Sequence, residues 1–161
     1  MAVEGGKPVY DLPAHPLNRS GKASGTFVGG NLSVLYGLQG TPFGLDTLLN
    51  THAQNAESHY ILFLEDIGER HYHIDRMMNN LRMSGVLGRI DGLVVGQMTD
   101  CPDDEGMQCT VYQTIARAVA DYTYPVIFGF DAGHGTPNHS LCMGAVSQME
   151  TDGCMARLQF L

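Results

Sequence analysis

Positive charge is scarce in this chain: 9 lysines and arginines stand against 17 aspartates and glutamates, a formal net charge of -8 over 161 residues. No basic stripe appears, so a nucleic-acid partner, whose phosphates require clustered Lys and Arg, is set aside. Long hydrophobic runs are lacking too. The most apolar stretches, around Tyr60 to Leu64 and Leu93 to Val95, fall far short of the roughly 20 residues of a membrane span. The opening MAVEGGK has neither the basic nor the apolar region of a secretion signal. Cys101, Cys109, Cys142 and Cys154 contain no C-x-x-C pair, which argues against a disulfide framework or a zinc knuckle. Reduced thiols in a cytoplasmic protein are the expectation. No internal repeat is evident.

What is present fits one globular α/β domain: a hydrophobic fraction of 43% and 20 glycines in a chain of single-domain length. The most informative stretch runs from Tyr60 to Gly85. A short apolar run, Tyr60 to Leu64, reads as a buried strand. Glu65 and Asp66 follow it, and Asp66 with Glu69 has capping-box spacing. Ile74, Met77, Met78 and Leu81 then recur at the interval of an amphipathic helix, which Gly85 stops. Glu65 is therefore expected at the carboxyl end of a buried strand, one residue before a helix, where open α/β sheets place functional groups. An acid between a strand and a helix also serves as a cap or a solvated turn residue.

Elsewhere, residues 1 to 25 carry Pro8, Pro13 and Pro16 without periodicity and read as an extended arm or linker. Thr26 to Val28 is a candidate short strand. Asn31 is placed to cap a helix through Leu32, Leu35 and Leu38, ended by Gly40. The Gly29-Gly30-Asn31 turn could cradle an anion at that helix start or merely permit close backbone packing. Thr41 to Ser58 reads as a surface loop. Asp91 to Met98 is a second strand, and Thr99 to Gly106 a loop. Val111, Ile115, Ala118, Val119 and Tyr122 mark a further helix, and Pro125 to Phe130 a third strand. Leu141 to Met149 and Cys154 to Phe160 form an expected hairpin. The whole is an α/β core with an antiparallel edge.

His134 lies between two glycines after that third strand, and imidazole suits proton transfer near neutral pH. A lone loop histidine is commonly no more than that. With Glu65, however, it would make the base half of a nucleophile, histidine and acid relay. A metal centre at His71, His73 and Asp75 is the enzymatic rival. Residues two apart on a helix point to different faces, unlike the i, i+4 pair of a helical zinc motif.

Three segments, GTFVGGNLSVLYGLQGTP (25–42), ILFLEDIGERHYHIDRMMNNLRMSGVLGRIDGLVVGQMTDC (61–101) and PVIFGFDAGHGTPNHSLCMGA (125–145), resemble the C-terminal domain of the LD-carboxypeptidases, serine peptidases that include the microcin C self-immunity peptidases. The resemblance runs in order from about Lys22 onward. It implies a swivelling β/β/α-type domain with a mixed sheet and a C-terminal hairpin over residues 26–161, preceded by a linker from an N-terminal domain that carries the serine nucleophile. It implies Glu65, the first acid of the LED motif, and His134 as the glutamate and histidine of a Ser-Glu-His triad. Glu69 is the nearest rival to Glu65. No cofactor or metal is implied. Ser33, Ser84 and Ser140 lack a G-x-S-x-G-like elbow, so the nucleophile and its domain are absent from this sequence. The implied activity is removal of the terminal D-alanine from murein tetrapeptide in peptidoglycan recycling, with the isolated chain inactive. Alternatives are cleavage of a microcin-type aminoacyl nucleotide, or a non-catalytic assembly domain. A homodimer is the expected assembly.

Overall fold

The computed structural model describes residues 2–4, 7–52 and 58–161. Along the chain these form β1 (Ala2–Glu4), β2 (Lys7–Pro13), β3 (Gly21–Asn31), α1 (Leu32–Leu38), α2 (Leu45–His52), β4 (Tyr60–Ile67), α3 (His71–Met83), β5 (Gly92–Thr99), α4 (Val111–Ala118), β6 (Val126–Phe128), β7 (Val146–Thr151) and β8 (Met155–Phe160). The strands make one mixed sheet in the order β1-β2-β8-β7-β3-β4-β5-β6. From β3 to β6 the pairing is parallel, and from β3 back to β1 it is antiparallel.

The organising strand behaves as its sequence predicts. Tyr60, Leu62 and Leu64 of β4 point to one face, where they meet Ile74, Met77, Met78 and Leu81 of α3 and Val111 and Ile115 of α4. Alternate residues Ile61 and Phe63 point to the other face, against Phe27, Tyr10, Phe130, Leu158 and Phe160. Both faces of β4 are buried because residues of the antiparallel strands and of the loop after β6 join Ile61 and Phe63 in one cluster on the face that the helices leave open. Strands covered on both sides read as continuous apolar runs rather than alternating ones. At the far edge, the Arg19 amide donates to the Val126 carbonyl (3.0 Å) and the Val126 amide to the Arg19 carbonyl (3.1 Å), tying the chain after β2 to β6.

Residues 7–25 are not an arm. β2 lies between β1 and β8, with Val9 and Tyr10 only 1% and 2% exposed, and β3 runs unbroken from Gly21 through residue 26. Pro8 and Pro13 sit near the two ends of β2, where a missing amide donor costs the ladder least. Residues 1, 5 and 6 of the expected arm lie outside the described residues. The stretch expected as a loop from Thr41 to Ser58 contains α2, anchored by buried Leu45 and Leu49; residues 53–57 are outside the described ones. The C-terminal hairpin is present but sits inside the sheet, between β2 and β3, rather than at its edge.

Among the described residues, no helix is long and apolar enough to cross a membrane.

Candidate active site

Glu65 lies in β4, not one residue before a helix: the strand continues to Ile67, and α3 begins at His71 with Arg70 at its N-cap and no side-chain cap. The expected capping box from Asp66 to Glu69 does not form. Asp66, fully buried, turns instead to the end of β3 and the start of α1. It accepts from Asn31 Nδ2 (2.9 Å), the Ser33 amide (2.9 Å), the Ser33 hydroxyl (3.3 Å) and the Ile67 amide (2.8 Å). Asn31 caps α1 through its side-chain oxygen on the Val34 amide, as expected (3.0 Å). Gly29, Gly30 and Asn31 are the last residues of β3 rather than a turn, and the Asp66 carboxylate at the helix start is held by Asn31 and Ser33, not by the glycines. A β-carbon on Gly29 (φ +127°) would run into the Phe63 carbonyl, so this glycine permits two strands to approach closely.

The same alternation that puts Ile61 and Phe63 on the face away from the helices carries Glu65 there. Its register partner on β3 is Asn31. On β5 the register slips: Leu64 pairs with Val95 but Asp66 with Met98, so Gly96 and Gln97 together oppose Glu65. Such a bulge bends a strand and re-aims its side chains.

His134 arrives from the loop after β6. Its Nδ1 stands 2.7 Å from Oε2 of Glu65, so the ring donates to the carboxylate. Glu65 is 5% exposed, while the His134 side chain is 46% exposed. Among the described residues nothing hydrogen-bonds to its Nε2, and no serine hydroxyl reaches the ring. Gly133 (φ +142°) precedes it, and a β-carbon there would come within 2.9 Å of Glu65 Oε2, so only glycine admits the carboxylate this close. Asn138 grips Gly133 at both ends, accepting from its amide (3.2 Å) and donating to its carbonyl (2.7 Å). Gln97 accepts from the Gly135 amide (2.7 Å) and donates to the Pro137 carbonyl (2.7 Å). The Tyr10 hydroxyl donates to the Ser140 carbonyl. Gln97 and Asn138 carry no motif of their own. The legible signal was a glutamine interrupting the apolar run of β5.

Among the described residues two other carboxylate and imidazole pairs are seen: Glu69, just before α3, with His73 in its first turn (2.6 Å), and Asp91 with His59 (2.9 Å). In both the acid is more exposed than Glu65, and neither imidazole sits at a loop braced as the His134 loop is. His71 is buried, with the Asp104 amide donating to Nδ1 (3.1 Å) and Nε2 beside Thr114 Oγ1 (2.7 Å). Both ring nitrogens are thus committed to the fold. Among the described residues no group of three or more His, Cys, Asp and Glu is disposed to hold a metal. Ser33 lies in α1 and bonds to Asn31 Oδ1 (2.7 Å), and Ser84 caps α3.

A buried carboxylate aligning a half-exposed imidazole, both at the carboxyl end of a parallel strand set, defines this chain as an α/β domain with an acid and imidazole pair at its rim. The description of the LD-carboxypeptidase C-terminal domain matches residues 24–149, and the chain belongs to that family. A probable murein peptide carboxypeptidase of Bacillus subtilis is 36% identical over 132 residues, 81% of this chain and 38% of that protein. The microcin C7 self-immunity protein MccF of Escherichia coli is 27% identical over 135 residues, 83% of this chain and 36% of that one. The crystal structure of muramoyltetrapeptide carboxypeptidase from Oxalobacter formigenes superposes with a TM-score of 0.79 at 24% identity, over 96% of this chain and 50% of that one. This chain thus spans half or less of the length of each.

Proposed function

We propose that this domain supplies the acid and the base of a serine carboxypeptidase acting on murein peptides, the nucleophilic serine coming from a separate domain. The observation that carries the reading is the 2.7 Å contact between His134 Nδ1 and Glu65 Oε2, with Nε2 left open on a half-exposed ring. In the relay, Nε2 of His134 takes the proton of the incoming serine as its oxygen attacks the peptide carbonyl, then returns it to the leaving amine. Glu65 holds the ring in the tautomer that leaves Nε2 unprotonated and stabilises the imidazolium. Base catalysis of this type contributes roughly 10² to 10⁴ in rate. The oxyanion donors, of comparable worth, belong in this reading to the serine-bearing domain, so the chain alone turns over no substrate. The similarity to the Bacillus subtilis protein favours a murein peptide as the substrate; in this reading it is the tetrapeptide, cleaved to release its terminal D-alanine. A homodimer in the cytoplasm, its four free cysteines kept reduced, completes the reading.

The test adds a separately produced nucleophile domain to this chain with an LD-linked tetrapeptide and, in parallel, a microcin-type aminoacyl nucleotide. Tetrapeptide hydrolysis that disappears with His134→Ala supports the proposal. Cleavage of the nucleotide alone moves the substrate to the microcin class, and binding without turnover of either makes the chain an assembly domain. Hydrolysis by the chain alone, abolished by His134→Ala, refutes the need for a second domain.

A further inference from the structure

Gln97 is a polar side chain set in an apolar strand, and the bulge that opposes two β5 residues to Glu65 decides where it points. Its amide meets the loop after β6 at two places, accepting from the Gly135 amide and donating to the Pro137 carbonyl, both at 2.7 Å. Its own backbone amide donates to the Ala132 carbonyl (3.0 Å). These three attachments bracket His134 from both sides. A carboxamide is the group such a place needs, because one end must accept from an N–H while the other donates to a C=O. A carboxylate offers only the first and an amine only the second.

We infer that Gln97 is a positioning residue: it fixes the His134 loop to the strand bulge facing Glu65 and so sets the distance between imidazole and carboxylate. The catalytic meaning of this rests on the proposed relay, whereas the positional claim stands on the geometry alone. Asn138, from within the loop, stiffens Gly133 but ties it to nothing outside. Gln97 ties Gly135 and Pro137, just beyond His134, to the sheet, whereas Tyr10 of β2 holds the loop farther on, at Ser140.

The experiment is nuclear magnetic resonance of this chain, following the His134 Nδ1–H signal and the hydrogen exchange of the Gly135 amide. Gln97→Met keeps the side chain's length without its hydrogen bonds. The expected result is loss of the Nδ1–H signal through faster exchange with solvent, and Gly135 exchange accelerated roughly fivefold, as fits the loss of one hydrogen bond. An unchanged Nδ1–H signal in folded Gln97→Met overturns the inference. If that variant fails to fold, Gln97→Asn, too short to reach both backbone groups, is read in the same way; failure of both to fold assigns Gln97 to stability and also overturns it. With a nucleophile domain added, Gln97→Met is expected to lower kcat about tenfold to a hundredfold, the cost of a misplaced catalytic group, at unchanged KM. Absence of hydrolysis by the parent pair counts against the peptidase reading, while the spectroscopic result still decides the role of Gln97.

Discussion

Asp66→Ala separates two accounts of the same acid. As the cap of α3, the role its spacing to Glu69 suggested, Asp66 would contribute about 1 kcal/mol, the usual worth of an N-cap. The structure gives it a larger task. Its carboxylate is fully buried and accepts from the Asn31 side chain, the Ser33 amide and hydroxyl, and the Ile67 amide, joining the ends of β3 and β4 to the first turn of α1. Truncation removes the acceptor and leaves these donors facing a cavity. A buried donor left unpaired costs about 1–3 kcal/mol. Asn31 and Ser33 are partly exposed and Ile67 is exposed, so water recovers part of that; the Ser33 hydroxyl keeps Asn31 Oδ1 as its acceptor (2.7 Å), and the lower end for the three remaining donors gives about 3 kcal/mol. For a domain of this length each kcal/mol corresponds to roughly 2–4 °C, so Tm is expected to fall by about 6–12 °C. Thermal unfolding followed by circular dichroism reads the shift, and hydrogen exchange reads its location. The Ser33 amide should lose protection, while the first-turn amides of α3 should not. A fall in Tm of 3 °C or less, with protection lost in α3 instead, would refute the reasoning and return Asp66 to the capping role.

Three further outcomes follow from the same geometry. Tyr10→Ala removes a core ring that packs edge-on against Phe130 and Phe160 and donates to the Ser140 carbonyl; a loss of about 3–5 kcal/mol is expected by denaturant titration, whereas a residue in a free arm would cost nothing. His15 is half-buried against Tyr112 and Phe128, and its Nδ1 accepts from the Leu17 amide; burial holds its imidazole below the ordinary value. The unfolded chain thus takes up this proton first as pH falls, so the His15 contribution is complete above about pH 6.5 and declines below it. Denaturant midpoints between pH 7.5 and 5.5 should fall more steeply for the parent than for His15→Gln, and parallel slopes would contradict this. Glu65→Gln, in an active pairing with a nucleophile domain, is expected to lower kcat by a factor of about 10² to 10⁴ with little change in KM, since a glutamine cannot stabilise the imidazolium; steady-state kinetics measures it, and an unchanged kcat would remove Glu65 from the relay.

The sequence by itself determined the elements whose signal is local. The apolar run of β4, the stripe of α3 and the Asn31 cap of α1 each follow from neighbours within a few positions, and all three stand where the spacing placed them. Glu65 and His134 were legible as types suited to a relay at strand ends, but 69 positions separate them. Only the tertiary structure decided their contact, because it depends on the parallel order of β4, β5 and β6 and on a bulge in β5. The same holds for β2, whose prolines disguise a strand that exists because β8, nearly 150 residues later, offers it a ladder. Asp66 and Glu69 are the reverse case, a local pattern outbid by more distant partners. Local spacing reports what a segment can form alone; what each side chain finally touches is set by segments that sequence distance hides.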